Sequence, residues 1–324
     1  MKAFITHTDY TLMSAVMTKR QYYGNEPIDL YVLMQQRNSQ ELLDAVRGEF
    51  ANVYEIEPYI NQRRFIWLLQ RKKYFDHYEK QVPSITYDEV FVGMWDKAVY
   101  IARHITTRKT MFHFVEEGSV VYSDNNKVTK RSLQSELLNV LIAVFHYYRP
   151  FYFLKNHLDK MFVFDTALVA AHSNSSIKPI SFTKIPLVVD LTDYLNNDVW
   201  ILGSSSGGGL GLDNALYKPH PLLVNQLPLE IVYSFLPKKV LEKKIIVANA
   251  STSLLTPKML FDVEPHILST HCFESSYDSL NKVALFGKIY SIYLNKERCL
   301  APSNLEELKE LLEKIAGEEH EKNV

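Results

Sequence analysis

The sequence predicts an α/β protein made of two doubly wound domains that face each other across a cleft. Three observations lead there. Strand-like and helix-like segments alternate through the first half of the chain, a second alternating unit begins near residue 198, and a polar stretch separates the two. Alternation of this kind needs crossover connections, which give a mostly parallel sheet with helices on both faces. At 324 residues the chain is also longer than one hydrophobic core usually serves. The expected division is an N-terminal domain over 1–175, a connection over 176–197, a C-terminal domain over 198–302, and a closing helix and tail over 303–324. In open sheets of this type ligands sit at the carboxyl ends of the strands.

The stretch "KAFITHT" (2–8) reads as a buried strand, and residues 9–21 as a helix. "IDLYVLMQ" (28–35) is a second strand, followed by an amphipathic helix in "SQELLDAVRGEF" (39–50) with Ser39 as its cap. Further strands are expected in "ANVYEIEPY" (51–59), "EVFVGMW" (89–95), "TMFHFVEE" (110–117) and "KMFVFDTAL" (160–168). A strong helix is expected in "KRSLQSELLNVLIAVF" (130–145). The second unit runs from "DVWILG" (198–203) through "KKIIVANA" (243–250) to "VALFGKIYSIYL" (283–294). In the closing "SNLEELKELLEKIAG", Ser303 and Glu306 read as a capping box, with Leu305, Leu308, Leu312 and Ile315 along one apolar face.

Composition narrows the class. The chain is 47% hydrophobic and 23% charged, ordinary for a folded soluble protein. A formal net charge of -1 supplies no field that would draw in nucleic acid. The two cysteines, Cys272 and Cys299, make neither a disulfide scaffold nor a metal knuckle. The opening residues break their apolar run with His, Thr and Asp, unlike a secretory leader, and "LLNVLIAVF" (137–145) is too short to span a bilayer. A cytoplasmic location is the expectation. "FHYYRPFYFLKNHLDK" (145–160) mixes aromatic and basic side chains and admits contact with the inner face of the membrane; a helix end over buried core accounts for it as well.

Chemistry-bearing residues fall into short motifs. "EEG" puts Glu116, Glu117 and Gly118 at a strand end. Paired carboxylates there suit a general base, because like charge and burial raise a pKa; a solvated strand end reads equally well from these residues alone. Glu117 is the favoured member, since it abuts Gly118, where the chain can turn. "KPHP" flanks His220 with Pro219 and Pro221 after Lys218, and a backbone fixed in this way holds a histidine for anion contact. "PLE" (228–230) sets Pro228 at a helix start and Glu230 in its first turn. "STS" (251–253) follows a buried strand, and Ser251, Thr252 and Ser253 at a helix start can bind phosphate or simply cap the helix. Together they describe a nucleotide site, with His220 and the hydroxyls on the phosphate and Glu230 on a ribose diol. "GSSSGGGLGL" (203–212), starting at Gly203, reads as a phosphate-cradling loop or as a linker or shortened connection; without a P-loop lysine or GxGxxG the linker is favoured. There is no DxD in the chain, which speaks against a metal-dependent transferase of nucleotide-diphosphate sugars.

In type and order these motifs resemble those of bacterial sialyltransferases with two Rossmann-like domains: a (D/E)(D/E)G motif, then HP, then Ser/Thr. The chain looks most like glycosyltransferase family 52, the lipooligosaccharide and capsule sialyltransferases, with bacterial polysialyltransferases as near relatives. The resemblance rests on "EEG", "KPHP", "PLE", "STS" and the opening "FITHTDYTLMSAV", and spans residues 1 to about 255. Leu222 stands where the family usually carries Arg, and the Gly/Ser run where relatives tend to carry a helix.

The resemblance implies GT-B architecture and inverting transfer of sialic acid from CMP-sialic acid to a galactose-terminated glycan of capsule or lipooligosaccharide, with no cofactor and no metal. It implies a general base in Glu117 or Glu116 and a role for His220 in stabilising or protonating the departing phosphate. Donor contacts are expected from Lys218, Pro221, Glu230, Ser251, Thr252, Ser253 and Gly203. Peripheral membrane contact and a homodimer are compatible with this reading; a nucleic-acid partner is not expected. The alternatives are a GT-B transferase using CMP-Kdo or a nucleotide-diphosphate hexose, and a non-catalytic glycan- or nucleotide-binding module. Against the last, every motif keeps its ionisable or hydroxyl group.

Overall fold

The computed structural model describes residues 1–34, 39–59, 76–93, 98–122, 158–169, 176–203, 215–218, 227–249, 251–273 and 279–321. The helix expected over 130–145, the Gly/Ser run beyond Gly203, and Pro219, His220 and Pro221 lie outside the described residues.

The chain divides into two compact units, the first comprising Met1–Val121 and Asn125–Ile185 and the second Pro186–Val324 together with Tyr122–Asp124. The first is built on seven parallel strands: β1 (Lys2–Thr6), β2 (Asp29–Leu33), β3 (Val53–Ile56), β4 (Tyr87–Val92), β5 (Thr106–Val115), β6 (Leu158–Val163) and β7 (Ser176–Pro179). Their spatial order is β3-β2-β1-β4-β5-β6-β7. All of β2 is buried, as are Ala3, Phe4 and Ile5 of β1. Such unbroken apolar runs are what a strand covered on both faces requires. Phe4 aligns with Leu30 on one side and Phe91 on the other, and its ring stacks on Phe91 at 4.5 Å. Helices α1 (Asp9–Tyr22), α2 (Gln40–Arg47) and α3 (Ala98–Ile105) belong to this unit. Ser39 caps α2 by accepting from Leu42 N–H.

The second unit has five parallel strands, β8 (Val199–Leu202), β9 (Leu216–Lys218), β10 (Ile245–Ala248), β11 (His266–Ser269) and β12 (Cys299–Leu300), in the order β12-β11-β10-β8-β9. Its helices are α4 (Thr192–Asn196), α5 (Leu229–Phe235), α6 (Lys238–Glu242), α7 (Thr252–Phe261), α8 (Ser279–Ile292) and α9 (Leu305–Glu321). The fold is therefore α/β with two doubly wound parallel sheets.

Three boundaries differ from expectation. The connection expected from 176 starts later, because Ser176–Pro179 pairs with β6 as the outer strand of the first sheet. The closing helix is part of the second unit: Leu308 and Ile315 sit in one buried cluster with Ile201, Ile245, Val247 and Leu268. Leu305, expected on that face, is 39% exposed. The capping box is displaced by one residue, since α9 begins at Leu305. Asn304 Oδ1 accepts from Glu307 N–H at 3.0 Å, and the Glu307 carboxylate accepts from Ser303 N–H at 2.8 Å.

In each sheet the direction of winding reverses once, between β1 and β4 in the first and between β8 and β10 in the second. At such a reversal the connections leave toward opposite faces and open a crevice beyond the carboxyl ends of the strands.

Candidate functional site

At the first reversal His7 follows β1, Gly93 follows β4, and Glu116, Glu117 and Gly118 follow β5. Thr8 caps α1 by accepting from Thr11 N–H at 3.1 Å. The Thr11 hydroxyl in return accepts from the N–H groups of His7 (3.1 Å) and Thr8 (3.0 Å), which fixes the backbone at His7. Glu117 Oε2 lies 3.8 Å from His7 Nε2, with both side chains largely buried. A Cβ on Gly93 would stand 2.8 Å from that same Oε2, so the carboxylate occupies room that only glycine leaves. Gly118 has φ +109°, in the left-handed region, where a side chain would be strained.

The paired glutamates are not equivalent. Glu116 is fully buried and accepts from the Tyr10 hydroxyl at 2.6 Å and from Phe164 N–H at 2.8 Å. Its carboxylate ties the first turn of α1 to the end of β6. Asp9, also buried in that first turn, accepts from Ser39 N–H with both oxygens, at 3.1 and 3.0 Å. Burial pushes its carboxyl group up to about 7, while the Ser39 N–H pulls the other way.

At the second reversal Gly203 follows β8 and donates its N–H to Lys218 O at 2.8 Å, closing the β8–β9 ladder. Beyond β10 the chain passes Asn249 and reaches Ser251, the cap of α7, whose hydroxyl oxygen accepts from Ser253 N–H at 3.3 Å. Ser251 and Thr252 thus stand at a helix start on the carboxyl edge of the sheet. Lys218 and Glu230 have turned inward instead. Lys218 Nζ donates to the Tyr194 hydroxyl (2.8 Å) and to Leu227 O (3.1 Å). Burial lowers its pKa to about 8, against the charge of Glu230. Glu230 is buried and accepts from the hydroxyls of Ser253 (3.2 Å) and Thr256 (3.4 Å), with its pKa raised by burial. Expected as a ribose contact and a phosphate ligand, Glu230 and Ser253 are hydrogen-bonded to each other, because α5 and α7 pack side by side. Farther along the edge, the Ser269 hydroxyl and His271 Nδ1 are 2.9 Å apart and buried.

Glu116, Glu117 and Gly118 are adjacent along the chain, but what surrounds them comes from three other strands. His7, Gly93, Asp9 and Tyr10 were not singled out from sequence. A histidine and an aspartate directly after the first strand offered a signal; Gly93 offered none. Among the described residues no three His, Cys, Asp or Glu side chains converge in a way that could hold a metal ion, and no helix is long and apolar enough to cross a membrane.

No protein-family model matches the chain, and no curated protein matches it significantly. Among solved structures it is similar to a UDP-N-acetylglucosamine 2-epimerase, at 9% identity over 97% of this chain and 94% of that one, with a TM-score of 0.49. It is also similar to the spinosyn forosaminyltransferase SpnP, at 9% identity over 98% and 99% of the two chains, with a TM-score of 0.45. A third is the glycotransferase of kitacinnamycin, at 10% identity over 98% and 95%, with a TM-score of 0.43.

Proposed function

We propose that the chain is an inverting glycosyltransferase, and within that class a metal-independent sialyltransferase that moves sialic acid from CMP-sialic acid to a galactose-terminated glycan of capsule or lipooligosaccharide. The observation that carries the reading is the different use made of two adjacent glutamates. Glu116 has its oxygens engaged by Tyr10 and Phe164, whereas Glu117 lies at the winding reversal beside His7, in space reserved by Gly93. A largely buried carboxylate at the ligand edge of a parallel sheet suits a general base. The order of the "EEG", "KPHP" and "STS" motifs, and their resemblance to the two-domain sialyltransferases, supports the finer assignment.

In this reading Glu117 takes the proton of an acceptor hydroxyl as its oxygen attacks the anomeric carbon of sialic acid. The bond from that carbon to the phosphate oxygen breaks through an oxocarbenium-like state, and CMP departs with the electron pair. His220 stabilises or protonates the departing phosphate, aided by Ser251, Thr252 and the N–H groups of the α7 start. Lys218, Glu230 and Ser253 hold the frame from which these groups act. A monophosphate leaving group carries less charge than a diphosphate, so dipoles, hydroxyls and one histidine can take the place of Mg²⁺.

The test is to incubate the protein with CMP-sialic acid and lactose, with and without EDTA. Sialyl-lactose formation that EDTA does not change is the expected result. A preference for UDP over CMP that depends on Mg²⁺, read by calorimetry, would sink the sialyltransferase assignment. Nucleotide binding without any transfer would point to the non-catalytic module.

A further inference from the structure

Asn249 stands at the winding reversal of the second sheet. It follows β10, whose last residue Ala248 aligns with Leu202 of β8 on one side and Ser269 of β11 on the other. Its neighbours across the edge are therefore Gly203 and Thr270, and Thr270 N–H donates to Ala248 O at 3.0 Å. Two residues later Ser251 caps α7. The Oδ1 of Asn249 is buried and, among the described residues, accepts no hydrogen bond. A buried amide oxygen left unmatched destabilises the fold that holds it, and most folded proteins avoid one. Keeping it at the one position of this sheet where a ligand crevice opens points to a ligand that completes it.

The chemistry of that ligand follows from the atom. A carbonyl oxygen accepts and cannot donate, so its partner carries an N–H or O–H. Phosphate oxygens at neutral pH carry no such hydrogen and would be repelled. Their place is at the N–H groups and hydroxyls of the α7 start. We propose that Asn249 is a specificity-determining residue of the donor site, its Oδ1 accepting from a neutral donor on the nucleoside half of the nucleotide, the ribose 2′-hydroxyl or the exocyclic amino group of the base. This rests on the reading of the second unit as nucleotide-binding. A nucleotide lacking that hydrogen leaves the oxygen unmatched and is discriminated against for that reason.

Calorimetric titration of CMP, 2′-deoxy-CMP and UMP into wild type, Asn249→Ala and Asn249→Asp tests this. Wild type should bind one of the two analogues more weakly than CMP by about tenfold or more, and the analogue affected identifies the hydroxyl or the amino group. Asn249→Ala should lose a similar factor for CMP and show no gap between CMP and that analogue, whereas Asn249→Asp, which retains an acceptor, should keep the gap. The thermal midpoint of unliganded Asn249→Ala should equal or exceed wild type, because an unmatched polar atom has been removed. Equal affinity of wild type for all three nucleotides overturns the proposal. So does an Asn249→Ala variant that binds like wild type, or one with a lowered midpoint and all affinities reduced together. If wild type prefers UDP, the sialyltransferase reading fails while the same comparison of UDP with 2′-deoxy-UDP decides the role of Asn249. Binding of no nucleotide at all overturns both.

Discussion

At the winding reversal between β1 and β4, the protein's own side chains fill the carboxyl edge: Glu117 reaches over Gly93 to His7, with Glu116, Tyr10 and Asp9 packed around them. At the reversal between β8 and β10 the ionisable groups turn inward, where Lys218 and Glu230 join strand to helices, and the edge keeps a capped helix start and an unmatched amide oxygen. One plan of parallel strands thus furnishes its two reversals differently. In the proposed mechanism the first, with a carboxylate beside an imidazole, serves proton transfer, and the second, with an unmatched acceptor, serves selective binding.

The largest effect that separates the two sites is expected at the glutamates. In the proposed mechanism, Glu117→Gln should lower the sialyl-transfer rate by about 10²–10⁴-fold and leave CMP binding unchanged, since the nucleotide belongs to the other unit. Glu116→Gln should act mainly through stability, because its amide offers an N–H where Tyr10 or Phe164 already donates; a loss of about 1–3 kcal/mol is expected. Rate assays beside urea melts distinguish the two, and near-normal transfer by both variants would remove the first edge from the mechanism.

Next in size is Asp9. Its carboxyl group rises from 3.8 in the unfolded chain to about 7 in the fold. Between those values the folded protein holds a proton that the unfolded chain has released, so stability falls as pH rises through the window. Below it both states are protonated, and above it the cost is fully present. Wild type should lose on the order of 3 kcal/mol more than Asp9→Asn between pH 5 and pH 8. Urea unfolding at the two values measures the difference, and parallel behaviour of the two proteins would mean that Asp9 is not buried as described.

Gly93→Ala should give the smallest effect. The added methyl meets the far end of the Glu117 side chain at 2.8 Å, which can swing away, and Thr11 Cγ2 at 3.3 Å, which needs to yield by only a few tenths of an ångström. A displaced base should nonetheless slow transfer by about ten- to a hundredfold. A thermal midpoint near wild type together with a reduced kcat fits this account. Unchanged kcat would show that Glu117 need not occupy that space.

Much of the fold was legible because its signals are local. Buried runs such as those of β2 and β10, and caps such as Ser39, Pro228 and Ser251, announce themselves within a few residues. The outer strand β7 was missed because "SIKP" has neither an apolar run nor clean alternation, and its pairing with β6 supplies what its own sequence lacks. The site was legible only in part. Glu117 is favoured over Glu116 because it abuts Gly118, but its surroundings depend on β1, β4 and β5 lying side by side, a relation between residues 7, 93 and 117 that no local pattern records. Lys218 and Glu230 are expected donor contacts, and what their local sequence does not record is their burial and their bonds to Tyr194, Leu227, Ser253 and Thr256.

The bonds from Lys218 Nζ to Leu227 O and to the Tyr194 hydroxyl tie the end of β9 to the approach to α5 and to α4. One buried ammonium thus serves as a joint between three elements. Replacing the lysine takes the same donor from both oxygens at once, so β9, α4 and α5 loosen together rather than one by one.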